Sequence, residues 1–333
     1  MKRIMTGEGK PNDSQQDYRA VRCSIVIRAF NEEKHLCRLL DGIQQQTVQD
    51  YEIILVDSGS SDGTLAIAAR YPVRVIHIQP ENFSFGRSLN LGIDAAQGEY
   101  IVIASAHVYP VYPDWLERLL APFADPEIAL SYGKQRGNAH TKFPEQQIFA
   151  RWFPEQTSLN QTHPFCNNAN AAIRRSVWQQ RPYEESLSGL EDLDWARWAL
   201  EQGHRLAYIA EAEIVHVHNE SPRSIYNRYR REAMAFKRIF PQEHFHLGDF
   251  TRLVLTNILS DLWHAIRQGA LLQNLGSIFW FRWMQFWGTY QGYRQSGPLT
   301  WQLRQTFYYP RGMALDSREA VRDVEPIRYE GEP

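Results

Sequence analysis

The sequence predicts an α/β fold, with a doubly wound, mostly parallel sheet flanked by helices and a helical extension at the C-terminal end. Short runs of β-branched and apolar residues alternate with helical patterns between residues 23 and 105, which is typical of parallel sheets. The chain has 333 residues, 43% of them hydrophobic, and is therefore long enough for a large buried core. Residues 250–309 are helical in pattern and rich in tryptophan.

The four predicted strands are apolar runs that can be buried on both faces of a sheet. These runs are CSIVIRAF, YEIILVDS, VRVIHI and EYIVIASA, which begin at residues 23, 51, 73 and 99. Helical patterns follow the first three strands, and we expect Asn31 to cap the first helix. These helical patterns are NEEKHLCRLLDGIQQQ, SGSSDGTLAIAARY and FSFGRSLNLGIDAAQG.

Polar residues follow three of these strands, at Arg28–Asn31, Asp57–Ser61 and Ser105–His107. In doubly wound sheets, ligands bind beyond the C-terminal ends of the strands. A single polar set could simply mark the end of a strand. Three sets that converge on one edge predict a binding site.

The rest of the chain is predicted to be more helical. DWLERLLAPF, SGLEDLDWARWALEQG and the basic segment RSIYNRYRREAMAFKR (223–238) have helical patterns, whereas FCNNANAAIRR is an Asn-rich loop that leads into a strand or a helix. HRLAYIAEAEIVHVH predicts two short strands. We therefore divide the chain into a flexible tail over 1–20, a domain over 21–240, a tryptophan-rich helical region over 241–310 and a charged tail over 311–333.

Composition excludes some classes of protein. The 36 Lys and Arg residues balance 38 Asp and Glu residues, for a net charge of −2, which argues against a dedicated nucleic-acid binder. The three cysteines, Cys23, Cys37 and Cys166, have no metal-like spacing and predict a reducing compartment. The first twenty residues lack the apolar segment of a signal peptide, and no apolar run is long enough to span a membrane. We expect a cytoplasmic protein.

Residues 23–220 resemble a family 2 nucleotide-sugar glycosyltransferase with the GT-A fold. The resemblance is carried by the order and spacing of SIVIRAFNEE, EIILVDSGSSDGT, FGRSLNLG, SAH and GLEDLDWA. It implies an inverting enzyme that moves a sugar from a UDP- or dTDP-activated donor to a saccharide or lipid-linked saccharide. Such an enzyme would act in polysaccharide or glycolipid assembly.

The resemblance also implies which residues bind the donor. Asp57 would accept a hydrogen bond from the ring N–H of uracil or thymine; the alternative is that it caps the following turn, although Asp62 is the better candidate for that cap. Arg28 departs from a common proline, and its guanidinium would either bind a phosphate or have a structural role. Phe85 stands where relatives with a rhamnosyl donor often have His, which weakens a rhamnose assignment. The other expected donor contacts are Ala29, Phe30, Glu32, Arg87, Asn90 and Ser105.

The SAH segment occupies the place of the DxD motif, which binds Mg²⁺ or Mn²⁺ against the donor diphosphate. The resemblance implies that His107 is a ligand and that His218, in HNESP, matches a further ligand position. His216 shares a strand face with His218. We expect a divalent ion, Mn²⁺ or Mg²⁺, with Mn²⁺ the better suited to imidazole. In the alternatives, His107 is a packing residue, or the basic helix over 223–238 neutralises the diphosphate without a metal.

The acceptor side carries GLEDLDWA, which resembles the ED motif of this family. Asp192 matches the general base that removes the proton from the acceptor hydroxyl, and Glu191 lies beside it. The alternative is that these acids only stabilise a helix N-terminus. Contacts to acceptor or donor sugar are expected from Asn167, Asn168, Asn170 and Trp195, unless the Asn-rich segment is a plain polar loop.

Two rival functions are compatible with parts of the sequence. A catalytically degenerate GT-A scaffold would bind sugar nucleotide or membrane without transfer, and the lost DxD motif supports it. A nucleotidyltransferase would carry a Gly-rich phosphate loop after the first strand, and RAFNEE is not one. Residues 250–309, with Trp beside Arg, suit peripheral contact with the inner face of the plasma membrane or a helical cap on the domain.

Overall fold

The computed structural model describes residues 21–218, 220–294 and 324–329. Within these ranges the strands are β1 Cys23–Ala29, β2 Tyr51–Asp57, β3 Val73–His77, β4 Tyr100–Ser105, β5 Val108–Pro110, β6 Ile128–Arg136, β7 Ser158–Gln161, β8 Asn170–Arg174 and β9 Arg205–His216. The helices are α1 Leu36–Gln44, α2 Thr64–Ala68, α3 Phe85–Asp94, α4 Trp115–Leu120, α5 Phe143–Trp152, α6 Arg175–Trp178, α7 Glu191–Glu201, α8 Pro222–Ile239, α9 Leu247–Arg267 and α10 Leu271–Arg294.

The strands form one sheet in the order β3-β2-β1-β4-β8-β6-β9-β5, and β7 pairs with β9. The first four are parallel and correspond to the four predicted strands. β8 then runs antiparallel to both β4 and β6, and β9 is parallel to β6. Both β1 and β4 therefore end at the same edge of the sheet.

Both faces of the sheet are covered, as the apolar strand sequences predict. Ile25 and Ile27 point into one hydrophobic cluster and Val26 into the other, because successive side chains of a strand face opposite sides. Gly92 of α3 lies so close to β1 that a Cβ atom there would meet Val26 at 2.5 Å. Only glycine permits this close packing of α3.

The three C-terminal helices α8, α9 and α10 share a third cluster, which includes Phe236, Phe250 and Phe286. A buried ion pair joins α10 to α9, since Arg282 Nε donates to Asp261 Oδ2 at 2.7 Å. None of the helices in the described ranges combines the length and apolar character needed to cross a bilayer. The helical region expected over 250–309 is confirmed as far as residue 294; residues 295–309 lie outside the described residues.

Two local predictions were wrong, and the structure adds a contact that the sequence did not predict. The first helix begins at Leu36, not at the strand end, because Asn31 has a φ of 57° and its Oδ1 accepts a hydrogen bond from the Ser61 N–H. HRLAYIAEAEIVHVH forms the single strand β9, which keeps its pairing with β6 through register shifts. Part of the predicted C-terminal tail is docked, because the Ile327 N–H donates to the Val111 carbonyl at 2.9 Å.

The predicted tail over 1–20 and residues 311–323 lie outside the described residues. The proposed division near residue 240 stays a prediction.

Candidate active site

A cleft of about 530 Å³ opens beyond the ends of β1 and β4. The loop before α7, the end of β9 and helix α8 form its other walls. It brings together the predicted residues Glu32, Ser105, His107, Asn167, Asn168, Glu191, Asp192 and His218. A second cleft, of about 630 Å³ between β6, α5 and β9, is lined by none of the predicted site residues.

Asp192 lies in the first turn of α7, at the wall of the cleft. Its Oδ2 accepts a hydrogen bond from the Asn168 N–H at 3.0 Å, and its Oδ1 accepts one from the Leu193 N–H at 2.8 Å. Burial and the neighbouring charge of Glu191 raise the pKa of Asp192 to about 7. A carboxylate with a pKa near neutrality is suited to general base catalysis.

The backbone before α7 is strained. Leu190 has a φ of 59°, in the left-handed region, where a side chain with a Cβ atom is unfavourable. This conformation turns the chain sharply into α7. Its consequence is that the acidic pair Glu191 and Asp192 stands at the edge of the cleft.

Glu191 is buried and already paired. Its Oε1 accepts hydrogen bonds from Arg28 Nη1 at 3.0 Å and from Asn168 Nδ2 at 3.4 Å. Arg28 also donates to the Phe85 carbonyl and lies over the Phe85 ring. This network favours a positioning role for Glu191, and it gives Arg28 the structural role that the sequence left open.

Three histidines converge on the opposite wall. The ring centroid of His107 is 5.1 Å from that of His216 and 5.8 Å from that of His218. One ring nitrogen from each lies within 4.8 Å of the others. The sequence named His107 and His218 as ligands and noted only the strand face of His216.

An oxygen atom holds the Nδ1 of each imidazole. These oxygens are Glu32 Oε1 for His107, Gln135 Oε1 for His216 and Glu145 Oε1 for His218, each at 2.8 Å. Assigned from this network, each Nδ1 carries the proton and each Nε2 carries a lone pair. The Ser105 hydroxyl lies 3.1 Å from His107 Nε2 and can donate to it. His216 Nε2 is buried and has no hydrogen-bond partner. Burial also holds the pKa values of His216 and His218 well below their usual range, so both are neutral, the form that binds metals.

The donor set therefore fits a divalent cation. A neighbouring group of Glu145, His218 and Glu220 also has metal-like spacing. A side-chain cation already occupies it, because Arg228 Nη2 lies 2.8 Å from Glu145 Oε1 and 2.6 Å from Glu220 Oε2. The three imidazoles are thus the better candidate for a metal.

Helix α8 adds a basic wall, as the segment 223–238 predicts. Arg228 lies between its two carboxylates, whereas the exposed Arg231 stacks on the Phe85 ring with its guanidinium carbon 4.6 Å from the ring centroid. Both arginines line the cleft. Positive charge therefore faces the histidine wall and the acidic turn of α7.

Several expected contacts belong to the core instead. Asn170 is fully buried, and its amide is bonded to Trp115 Nε1 and to the carbonyls of Lys134 and Ala212. The amide of Asn90 holds Trp178 and the backbone of Tyr183. Trp195 is buried and donates to the Arg181 carbonyl. The polar atoms of these three residues therefore bond to other parts of the protein, and their expected contacts with donor or acceptor stay predictions.

The remaining donor-side residues lie outside the walls of this cleft. Ala29 is buried in the core, Phe30 is 56% exposed and Arg87 is exposed on α3. Asp57 is buried at the end of β2, and its carboxylate accepts hydrogen bonds from the N–H groups of Gly59 and Ser60. This geometry is the turn-capping role, while the base-binding role of Asp57 stays a prediction.

Sequence reasoning missed the residues that orient the site. Gln135 and Glu145 lie 81 and 73 positions from the histidines they bind. His35, Arg228 and Arg231 were not singled out either. The basic pattern over 223–238 was the one available signal, and it indicated a helix without identifying which arginines face the cleft.

Residues 24–181 match the family model described as Glycosyl transferase family 2. The chain is 27% identical over 223 residues to the O-antigen chain rhamnosyltransferase RfbN of Salmonella typhimurium, which covers 63% of this chain and 70% of the relative. It is 31% identical over 199 residues to the O-antigen chain rhamnosyltransferase WbaN of Salmonella anatum, which covers 56% of this chain and 62% of the relative.

Solved structures share the fold. A mannosyltransferase from Pyrobaculum calidifontis, in complex with GDP-Man and Mn²⁺, superposes with a TM-score of 0.55 and 20% identity, over 82% of this chain and 84% of that one. Staphylococcus aureus TarS 1–349 in complex with UDP gives a TM-score of 0.50 and 18% identity, over 94% and 98%. The predicted GT-A architecture and the resemblance to family 2 are confirmed.

Proposed function

We propose that this chain is an inverting enzyme of glycosyl transferase family 2 that transfers a sugar from a nucleotide-sugar donor to a saccharide acceptor. The acceptor would be a saccharide or lipid-linked saccharide in polysaccharide or glycolipid assembly. The observation that carries this proposal is Asp192. Its carboxylate faces the cleft, is held by two backbone N–H groups and has a pKa of about 7.

The proposed reaction is a single displacement. The acceptor hydroxyl oxygen attacks the anomeric carbon, and its proton passes to the Asp192 carboxylate. The bond between the anomeric carbon and the diphosphate oxygen breaks, and the diphosphate leaves with the electron pair. One base and one stabilised leaving group suffice for inversion; a pair of carboxylates that flank the bond would instead indicate a hydrolase.

Charge on the leaving diphosphate needs a positive environment. Arg231 lines the cleft and has no acidic partner among the ion pairs of the described residues. Its guanidinium can donate hydrogen bonds to a phosphate on the side away from Phe85. His107, His216 and His218 would hold a divalent ion, which when bound supplies further positive charge at the diphosphate. Arg28 and Asn168 fix the acidic turn that carries the base.

The donor is proposed only by class. Phe85 argues against rhamnose as the donor sugar, yet both Salmonella relatives are named rhamnosyltransferases. We retain UDP- and dTDP-sugars as the proposed donors. Because a solved relative binds GDP-Man, a GDP-sugar belongs in the test as a comparison. We further propose that the chain works in the cytoplasm, at the inner face of the plasma membrane.

The test combines binding and turnover. Calorimetry of the full chain with UDP, dTDP and GDP, with and without Mn²⁺, identifies the nucleotide. Donor turnover is then compared between the wild type, Asp192→Asn and the control Asp94→Asn, an exposed acid on α3. We expect Asp192→Asn to lower kcat about 10²–10⁴-fold with unchanged nucleotide affinity.

Two outcomes contradict the proposal. If Asp192→Asn turns over as fast as Asp94→Asn, Asp192 is not the base. If the folded wild type binds none of the three nucleotides, the degenerate scaffold replaces the transferase.

A further inference from the structure

We infer that this chain has a metal centre with three imidazole ligands, His107, His216 and His218, and that this centre selects Co²⁺- and Zn²⁺-like ions over Mg²⁺. The inference deepens the proposed function by specifying its metal. One ring nitrogen of each histidine lies within 4.8 Å of those of the other two, and all three residues line the cleft.

The first argument is ligand orientation. Metal-binding histidines usually donate their second N–H to a carboxylate or another oxygen, which fixes the ring and its tautomer. Here all three Nδ1 atoms have such a partner, at 2.8 Å in each case. A packing role would not require three separate oxygen anchors around one point.

The second argument is the unused atom. His216 Nε2 is buried and lacks a hydrogen-bond partner, and leaving a buried polar group unpaired is unfavourable. The ring of His216 is only 6% exposed and lies between Phe149 and His107. A cation shared with His107 and His218 would satisfy this nitrogen.

The third argument is ligand chemistry. Hard oxygen ligands suit Mg²⁺, and imidazole suits Zn²⁺ and similar ions. The DxD position carries Ser105 and His107, so no carboxylate points into the cluster from β4. Three nitrogens with open positions resemble the ligand count of catalytic zinc sites.

The experiment measures metal affinity without donor or turnover. The metal-free full chain is titrated with Co²⁺, followed by visible absorption, and competed with Zn²⁺, Mn²⁺ and Mg²⁺. Removal of an orienting residue typically costs about 10–100-fold in affinity. We therefore expect about 10–100-fold weaker Co²⁺ binding in Gln135→Leu and at least about 100-fold weaker binding in His216→Ala.

The control is His140→Ala, an exposed histidine outside the cluster, which should bind Co²⁺ like the wild type. His107→Asp restores an oxygen ligand, so the preference for Co²⁺ over Mn²⁺ should narrow. Unchanged Co²⁺ affinity in folded His216→Ala, or Mg²⁺ binding as tight as Co²⁺ binding in the wild type, overturns the inference. Because nucleotide binding and turnover are separate measurements, loss of Co²⁺ binding in an enzyme that still binds nucleotide and transfers sugar overturns this inference alone.

A different observation carries a second proposal. We propose that the outer face of the α9–α10 hairpin docks on a membrane with anionic headgroups. This face consists of Leu255, Leu259, Trp263, Ile266, Leu272, Leu275, Phe279 and Trp283, which are 42–90% exposed. Spacings of three and four residues place them on one side of each helix, and both helices turn their buried side to the same cluster.

Charge identifies the partner. Between residues 250 and 294 the charged residues are Arg252, Asp261, Arg267, Arg282 and Arg294. Asp261 and Arg282 are buried against each other, so every exposed charged residue of this stretch is an arginine. Arg267 also stacks on Trp263, with its guanidinium carbon 4.0 Å from the ring centroid. Apolar and aromatic residues beside arginine suit an anionic interface.

The test is flotation of the full chain with vesicles of phosphatidylcholine alone or with phosphatidylglycerol. We expect the wild type to bind the anionic vesicles and the triple variant Leu259→Gln, Ile266→Gln, Leu272→Gln to lose this binding. The control Leu159→Gln, which removes an exposed leucine on β7, should bind like the wild type. Each of Arg252→Gln and Arg267→Gln should weaken anionic binding about fivefold.

Other occupants of this face would give different results. A chain that dimerises through this face, without floating, shows a second copy there and overturns the proposal. A monomer that binds neither vesicle also overturns it.

Discussion

At the scale of single residues, the protonation of Asp192 should govern the pH dependence of transfer. The base works only when ionised, and burial with the charge of Glu191 raises its pKa to about 7. We expect kcat/KM to fall about tenfold for each pH unit below 7 and to level off above it. A pH–rate profile of the wild type measures this, and an acidic limb near pH 4 would contradict it.

Glu191→Gln tests the cause of that shift. The variant removes the neighbouring charge, so the pKa of Asp192 should fall and the acidic limb should move to lower pH. Asp194→Asn is the matched control, because Asp194 lies in the same turn but pairs with Arg181. A limb that stays in place in Glu191→Gln would show that burial alone sets the pKa.

The raised pKa also predicts a stability effect with a definite sign. The folded state binds the Asp192 proton more tightly than the unfolded state, so ionisation of this group destabilises the fold as pH rises from about 4 through about 7. Asp192→Asn should therefore have a higher Tm than the wild type at pH 8, with a smaller difference at pH 5. Thermal unfolding at both pH values measures this, and a Tm gain of equal size at both would exclude ionisation as its cause.

Part of the candidate site could be predicted from the sequence, where polar residues follow predicted strands or form a motif. His107 and His218 follow apolar runs, Asp192 was predicted from the GLEDLDWA motif, and all three line one cleft. Asn90 and Asn170 were expected to contact donor and sugar, but their amides donate to the carbonyls of Tyr183 and Ala212, which are distant in the sequence. A side chain's hydrogen-bond partners are set by tertiary structure, so local pattern cannot separate the two cases.

At the scale of elements, glycines decide how α10 packs on α8. A Cβ atom at Gly288 would lie 2.4 Å from the Tyr226 carbonyl oxygen, and one at Gly292 would lie 2.4 Å from that of Arg230. Gly276, on the same helix, has no atom within 4 Å of that position. There is therefore room for a Cβ atom at Gly276, but not at Gly288 or Gly292.

We expect Gly288→Ala to destabilise the chain by about 1–3 kcal/mol, because backbone must move to admit the methyl group. Gly276→Ala should stabilise it by up to about 1 kcal/mol through helix propensity. Denaturant unfolding with matched m-values gives both numbers. Equal effects of the two variants would contradict the close packing of α8 and α10.

The buried ion pair of Arg282 and Asp261 leads to a second prediction, about the stability of the helical region. Both side chains are nearly fully buried, and Arg282 also donates to Gln285 and to the Pro144 carbonyl. Loss of one partner leaves a buried charge, so Arg282→Met should cost about 3–5 kcal/mol.

Replacement of both partners, Arg282→Met with Asp261→Leu, should cost less than the single change, because no buried charge remains. Chemical denaturation measures the free energies of unfolding. A double variant less stable than Arg282→Met would contradict this account.

Element boundaries were harder to predict than element types. Asn31 looked like a cap because a polar residue follows an apolar strand, yet its side chain binds the loop after β2. β9 looked like two strands because AEAE interrupts its apolar pattern, yet β6 pairs with it on both sides of the interruption. Pairing partners decide both cases, and they come from elsewhere in the chain.

At the scale of the whole molecule, distant segments assemble the histidine wall. Strand β5 pairs with β9 so that Val108 lies opposite His216, and the Val217 N–H donates to the His107 carbonyl at 3.0 Å. The edge strand β5 is only three residues long. Its position therefore depends on whatever supports it from outside the sheet.

Helix α1 packs on β5, and further support comes from the C-terminal segment 324–329. The Tyr329 hydroxyl donates to the Pro110 carbonyl, and its ring packs edge-on against Tyr109. Tyr329→Ala should lower stability by about 1–3 kcal/mol. Tyr329→Phe, which keeps the ring, should cost only about 1 kcal/mol for the lost hydrogen bond.

The same change should reach the cleft if β5 holds the histidines in register. We expect Tyr329→Ala to weaken Co²⁺ binding several-fold, whereas Tyr329→Phe should leave it unchanged, because the ring rather than the hydroxyl packs against Tyr109. Both affinities are measured well below the Tm, so that global unfolding does not contribute. If Tyr329→Ala lowers the stability but leaves the Co²⁺ affinity unchanged, the position of β5 does not affect the histidine cluster, and β9 alone positions it.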